Sequence, residues 1–164
     1  MRESWEVAGV GYEVVTAGKG DVGALVRLSS ALFQEDGGMR DPFADVGWPE
    51  REGRDHFLSL ISRRDALCLL SKPGRAPAGY LAGYIGEPAT IRPVKVAEVQ
   101  SMYVEARYRN RGVGSALVAE FRSWAERQGA ERISVTAYAS NEAAIRFYAR
   151  LGFLPKRTTL EMSV

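Results

Sequence analysis

Lys95–Phe121, KVAEVQSMYVEARYRNRGVGSALVAEF, is the stretch on which the fold depends. Its first part, Lys95–Val104, is rich in β-branched and aromatic residues and reads as a strand. From Gly112 to Gln128 the apolar residues Val113, Leu117, Val118, Phe121 and Trp124 recur at helical spacing, and Gly129 closes the helix. Between strand and helix lies Tyr108-Arg109-Asn110-Arg111-Gly112-Val113-Gly114-Ser115. Two glycines one residue apart at a helix start let a ligand come close to the backbone. The unpaired N–H groups and the helix dipole there favour an anion, and the expected guest carries phosphates.

Three phosphate-binding loops share this outline. A P-loop needs Gly-Lys-Ser or Gly-Lys-Thr, and Gly114-Ser115-Ala116 does not supply it. A dinucleotide fingerprint wants Gly or Ala where Leu117 stands and an acid closing the next strand, whereas Glu131 precedes that strand. The third pattern, Arg109-x-x-Gly112-x-Gly114 after Met102-Tyr103-Val104, is taken up below.

Outward from this centre the chain alternates strand and helix without repeats or linkers. Downstream, Arg132–Ala137 alternates as a strand, Asn141–Leu151 is a helix stopped by Gly152, and Phe153–Met162 reads as one or two terminal strands. Upstream, Ala66–Ser71 and Ala78–Ile85 flank the turn residues Lys72-Pro73-Gly74-Arg75 and form a hairpin. Pro49 opens a helix with Phe57, Leu60 and Ile61 inward, and Glu35–Trp48 reads as a long ordered loop. Tyr12–Thr16 reads as a strand, and Asp21 caps a first helix that ends near Gln34. The order β-α-α-β-β-β-α-β-α-β makes an α/β chain, with a mixed sheet and helices on its faces.

The Arg109–Gly114 pattern resembles the acetyl-CoA motif of the GNAT superfamily of N-acetyltransferases. A second stretch, Asn141-Glu-Ala-Ala-Ile-Arg-Phe-Tyr148-Ala-Arg-Leu-Gly-Phe153, resembles that superfamily's downstream signature. The resemblance implies the GNAT-type acyl-CoA N-acyltransferase fold, a central mixed β-sheet flanked by about four helices, and acetyl-CoA as cosubstrate. It implies that N–H groups at Met102 and Val104, in the strand that includes Tyr103, hold the thioester carbonyl and pantetheine where a bulge parts two strands. Amides of Arg109, Asn110, Arg111, Gly112, Val113, Gly114 and Ser115 then cradle the pyrophosphate, the two arginines add charge, and Asn141 reaches the same ligand. It further implies Tyr148 as the acid toward the departing thiolate and Glu98 as the base, with ordered water as the alternative. The acceptor site falls between Glu35–Trp48 and Thr158–Met162, with Glu35 and Asp36 drawing a cationic amine and Phe43 and Trp48 forming an apolar wall. A primary amine of a small molecule or peptide is the expected acceptor. The alternatives are a protein amino terminus or lysine, or a noncatalytic CoA-binding regulatory domain.

Composition fits this reading. The 164 residues, 46% hydrophobic and 26% charged, suit one domain spanning the chain. The amino-terminal Met1–Val10 lacks the apolar core of a signal peptide, and no stretch approaches the roughly 20 apolar residues of a membrane span, so a cytoplasmic protein is expected, without membrane partners. One Cys and one His, Cys68 and His56, cannot assemble a Cys/His zinc site, and no metal is expected. Cys68 in an apolar strand reads as an inert buried thiol, and His56 as a surface or packing residue. A net charge of +2 gives no argument for nucleic acid. The charge is uneven, however. Phe33–Phe57 carries seven acids against three bases, and Glu105–Val164 ten bases against six acids, which suits an anionic ligand on the second half and a cationic one on the first. A homodimer is common among such proteins and is a possible assembly here.

Overall fold

In a computed structural model, residues 3–7 and 10–164 are described; Met1, Arg2, Ala8 and Gly9, part of the amino-terminal stretch read above, lie outside the described residues. The elements are strands β1 (Glu3–Val7) and β2 (Val10–Thr16), helix α1 (Val22–Leu32), a single helical turn α2 (Gly38–Arg40), helix α3 (Trp48–Ser62), strands β3 (Ala66–Lys72), β4 (Gly79–Gly86) and β5 (Val96–Val104), helix α4 (Val113–Arg127), strand β6 (Arg132–Val135) and helix α5 (Glu142–Arg150). The strands form one sheet in the order β1-β2-β3-β4-β5-β6. Every neighbouring pair is antiparallel except β5 and β6, which run parallel and are joined across α4. This is the mixed sheet flanked by helices expected from the sequence. No helix among the described residues is long and apolar enough to cross a membrane.

The alternation of each strand divides the apolar residues between two cores. On one face Leu69, Leu81, Ala97 and Val99 pack with Leu117, Phe121 and Trp124 of α4 and with Tyr148 of α5. On the other, Cys68, Leu70, Tyr80 and Ala82 pack with Leu25 and Leu28 of α1 and Phe57 and Leu60 of α3.

β5 breaks this rule once. Ala97 and Val99 face α4, yet so do Met102 and Val104, while Tyr103 faces α1 and α3. Odd and even positions can share a face only if a residue is inserted between them. The register supplies it, since Ala82 pairs with Ser101 and Gly83 with Val99, leaving Gln100 as the bulged residue. Gly83 makes room for it. A Cβ on Gly83 would stand 2.3 Å from the carbonyl oxygen of Glu98 and 2.7 Å from the ring of Phe121.

Four local expectations are corrected. β1 pairs with β2 from Glu3↔Val14 to Val7↔Val10, where no strand was expected. The expected loop Glu35–Trp48 begins as helix, because α1 runs on through a wide π-type turn, Phe33–Gly37, into α2. That run ends at Asp41, which precedes Pro42 and is forced to extended backbone, φ −136°. Asp21 does not cap α1 with its side chain but accepts from the Gly18 N–H at 3.0 Å. Phe153–Met162 forms no strand. Pro155 interrupts it, and Leu154, Leu160 and Met162 are exposed, so its alternation has no sheet face to cover.

Replacing Gly83 by Ala should therefore lower stability by about 1–3 kcal/mol, the usual cost of overpacking. Urea denaturation measures this, and an unchanged midpoint would show that the bulge does not need that space.

Candidate cofactor and acceptor site

β6 accompanies β5 only from Val96↔Arg132 to Val99↔Val135. Past the bulge the two strands part, so Gln100 to Val104, with the expected ligand residues Met102, Tyr103 and Val104, have no strand partner on that edge among the described residues. Extended backbone without a neighbouring strand offers N–H and C=O groups to a ligand.

The chain then reaches the glycine turn. Asn110 and Gly112 take left-handed backbone, φ +57° and +83°, and α4 begins at Val113. The first bond of the helix is Ala116 N–H to Gly112 O at 3.0 Å. Among the described residues, the N–H groups of Asn110, Arg111, Gly112, Val113, Gly114 and Ser115 donate to no protein acceptor. Six consecutive free amides at the positive end of a 15-residue helix form an anion-binding concavity. The two glycines divide the work. Gly112 supplies the left-handed turn, whereas a Cβ on Gly114 would stand 3.0 Å from the ring of Phe147, so Gly114 lets α5 pack against α4.

Two adjacent acids of the α1–α2 linker bind it to both signature stretches. Glu35 pairs with Arg109 at 2.6 Å and accepts from the Tyr103 hydroxyl at 2.9 Å. The Arg109 guanidinium also donates to Val104 O at 2.8 Å and lies over the Tyr103 ring. Asp36 accepts from Arg40 at 2.5 Å and from the Asn141 amide at 2.8 Å. Asn141 also caps α5, accepting from Ala144 N–H at 3.1 Å, and Arg40 reaches Ser140 O at 2.6 Å. Hydrogen bonding from Arg109, against a smaller effect of burial, lowers the Glu35 carboxyl below its usual range, and the same bond raises Arg109. Both acids expected to draw a cationic acceptor are thus engaged by the protein itself, as are Arg109 and Asn141.

Tyr148 is buried between Phe147 and Phe153. Burial first, then the charge of Asp36 and the neighbouring Tyr80, push its phenol up to about 12. Glu98 lies beside Tyr84, whose phenol is raised by burial and then by that carboxylate. Cys68 is buried, its thiol pushed up to about 12 by desolvation. Among the described residues no group of three or more His, Cys, Asp or Glu is placed to hold a metal ion.

On the α1/α3 face beside the bulge opens a cleft of about 170 Å³. Its walls are the rings of Phe33, Trp48, His56 and Phe57, and its polar atoms come from Ser29, Gln100 and Ser101. Phe33 stacks on Trp48 at 5.7 Å, and Trp48 meets His56 edge-on at 5.2 Å. His56 Nε2 lies 3.1 Å from Gln100 Oε1. His56, read from the sequence as a surface or packing residue, is partly exposed and packs against Trp48 and Phe57, and its place in this cleft had no local signal. Of the two expected wall residues, Trp48 lines this cleft. Phe43 does not; it is 92% exposed, because the turn around Asp41 directs the chain outward there.

The chain matches the Acetyltransferase (GNAT) family over residues 32–153. It is 29% identical over 103 residues to an uncharacterised N-acetyltransferase of Methanocaldococcus jannaschii, a match covering 63% of this chain and 46% of that protein. The chain therefore spans about half the length of that relative. Its fold is similar to a mutant of the BH1408 protein from Bacillus halodurans, with TM-score 0.83 and 17% identity over 92% of this chain and 98% of that one. It is also similar to AAC(6')-Iy in complex with the bisubstrate analogue CoA-S-monomethyl-acetylneamine, with TM-score 0.70 and 15% identity over 93% of this chain and 98% of that one.

The Glu35–Arg109 pair predicts a pH signature. A carboxyl lowered in the folded state contributes stability above its unfolded value, near 4.5, and loses it as pH falls through the lower folded value. The partners are 39% and 47% exposed, so the contribution is about 1 kcal/mol or less. Melting temperatures of the protein and of Glu35→Gln should differ at neutral pH and converge as the carboxylate is protonated. A gap independent of pH would show that the pair is not formed.

Proposed function

Since the chain belongs to the Acetyltransferase (GNAT) family, we propose that it is an N-acetyltransferase that moves the acetyl group of acetyl-CoA directly to a primary amine while both are bound. The observation that carries this reading is the run of six free amides, Asn110–Ser115, set beside the open end of β5. Those amides fit a diphosphate, with Arg111, whose side chain makes no ion pair among the described residues, as the nearest added charge. Arg109 is a positioning residue, fixing the turn against Val104 O and Glu35. Backbone N–H groups of Met102 and Val104 orient the acyl end. Bound there, acetyl-CoA supplies an activated acetyl group, and its sulfur leaves as a thiolate that takes up, through solvent, the second proton lost by the acetylated nitrogen.

Tyr148 serves that departure as a hydrogen-bond donor. With its phenol at about 12, against roughly 8.5 for a thiol, complete transfer of its proton would run uphill by roughly 4–5 kcal/mol. A donated hydrogen bond stabilises the sulfur's growing charge without that cost. For the ammonium proton there are two candidates on the α1/α3 face, Glu98 and His56. His56 lines the cleft and Glu98 does not, so His56 receives the proton and Glu98 holds Tyr84. The acceptor is a small-molecule or peptide amine. The neighbouring complex carries an acetylneamine joined to CoA, an example of a small-molecule acceptor.

A thiol-release screen with acetyl-CoA against diverse amines and peptides tests the activity. CoA binding with no thiol released by any of them would make the chain a CoA-binding regulatory domain instead. Gly112→Val should abolish the rise in melting temperature caused by CoA, because a β-branched residue at φ +83° distorts the turn. Tyr148→Phe should lower kcat roughly 10- to 100-fold, the worth of one hydrogen bond to a charged group, with CoA affinity retained. His56→Gln should lower kcat with CoA affinity retained, and Glu98→Gln should leave kcat unchanged. The reverse result would return the base to Glu98.

A further inference from the structure

From the lining of the cleft beside β5 we infer the acceptor class: one primary amine carried on a single flat apolar ring, an arylalkylamine, in place of a polycation. The inference rests on the acetyl-transfer reading above. The cleft lies against Gln100 and Ser101, the two residues immediately before the strand end that orients the acyl group, so a molecule filling it presents its outer end to the reacting carbon.

Size comes first. An apolar cavity of about 150 Å³ holds one benzene ring, and this cleft, open to solvent on one side, has room for such a ring at about 170 Å³. Shape comes second, because Phe33, Trp48, His56 and Phe57 form a continuous succession of ring contacts from 5.2 to 5.7 Å, which offers flat faces and edges to a flat guest.

Charge comes third. The lining contains no Asp, Glu, Lys or Arg. Its polar side-chain groups are two hydroxyls, an amide, an imidazole and an indole N–H, and the buried Tyr80 hydroxyl beside Ser29 and Ser101 is likewise neutral. Asp55 adjoins His56 in sequence, and Glu50 and Glu98 lie two residues from Trp48 and Gln100, but none of them lines the cleft, while Glu35 and Asp36 are paired with Arg109 and Arg40. A polyamine or amino sugar would have to place ammonium groups within a cleft whose lining carries no carboxylate to meet them, which is unfavourable. A single amine at the mouth faces no such penalty. As a cation it can rest on the Trp48 ring, and it becomes the neutral nucleophile once its proton passes to His56.

The test compares 2-phenylethylamine with 1,4-diaminobutane in the thiol-release assay, and measures 2-phenylethylamine binding by calorimetry in the presence of CoA. Phenylethylamine should exceed diaminobutane at least tenfold in kcat/KM. Trp48→Ala should weaken its binding at least tenfold, and Trp48→Phe should recover most of the loss. Equal or greater kcat/KM for diaminobutane overturns the aromatic acceptor while leaving acetyl transfer intact. If neither amine releases thiol, the binding measurement decides: no binding of 2-phenylethylamine, or binding indifferent to Trp48→Ala, overturns the inference. Should Trp48→Ala fail to fold, the preference of the unmodified protein and the Trp48→Phe affinity still decide it.

Discussion

One inserted residue organises the site. Gln100 bulges from β5 opposite Gly83, and the phase of the strand shifts so that Met102 and Val104 return to the α4 face. At the same point β6 stops pairing with β5. Without the bulge, β5 could continue alongside β6, and its last amides would be consumed in a ladder. With it, the strand ends in open backbone on one edge and its bulged residue faces the aromatic cleft, where Gln100 meets His56. In the acetyl transfer proposed for this chain, a single defect in sheet register would bring the acyl end of the cofactor and the attacking amine together, and Gly83 is the residue that makes the defect sterically possible.

How much of this was legible in the sequence depended on whether a feature is local. The strand–turn–helix unit at Lys95–Phe121 was readable because helical period, strand composition and glycine placement all agree within a few residues. Tyr148 and Asn141 were singled out by a second local signature. A bulge in this strand was implied only by the resemblance, and its place at Gln100 was not readable, because Glu98, Gln100 and Ser101 interrupt the run VAEVQSMYV without marking which residue is inserted. His56 escaped for a related reason. The role proposed for it depends on Trp48 and Gln100, which lie far from each other in sequence, and a lone histidine in an amphipathic helix carries no signal of that. The carboxy-terminal segment erred in the other direction, since Leu160-Glu161-Met162 alternates like a strand although nothing pairs with it.

The glycines show how one motif can encode two different constraints. Gly112 and Gly114 are equivalent in the pattern that marks the turn, yet only Gly112 has positive φ. Gly114 lies in the first turn of α4 against Phe147. Its missing side chain brings α5 close enough for Asn141, at the start of that helix, to reach Asp36 on the linker. The spacing therefore couples the anion-binding turn to the position of the helix that carries Tyr148.

The uneven charge of the chain has a similar internal explanation. The acidic first half and basic second half suggested ligands of opposite charge on each. In the folded molecule the acids nearest the site face inward across the division: Glu35 meets Arg109 from the basic half, and Asp36 meets Asn141 while Arg40 grips Ser140. These contacts fasten the α1–α2 linker to both the glycine turn and the start of α5, so the linker forms one side of the site and holds its parts in register. A carboxylate already engaged by an arginine attracts a passing cation weakly, since most of its field is cancelled at short range. The polarity read from the sequence is real, and one consequence is the Glu35–Arg109 pair, which ties the acidic linker to the glycine turn of the basic half.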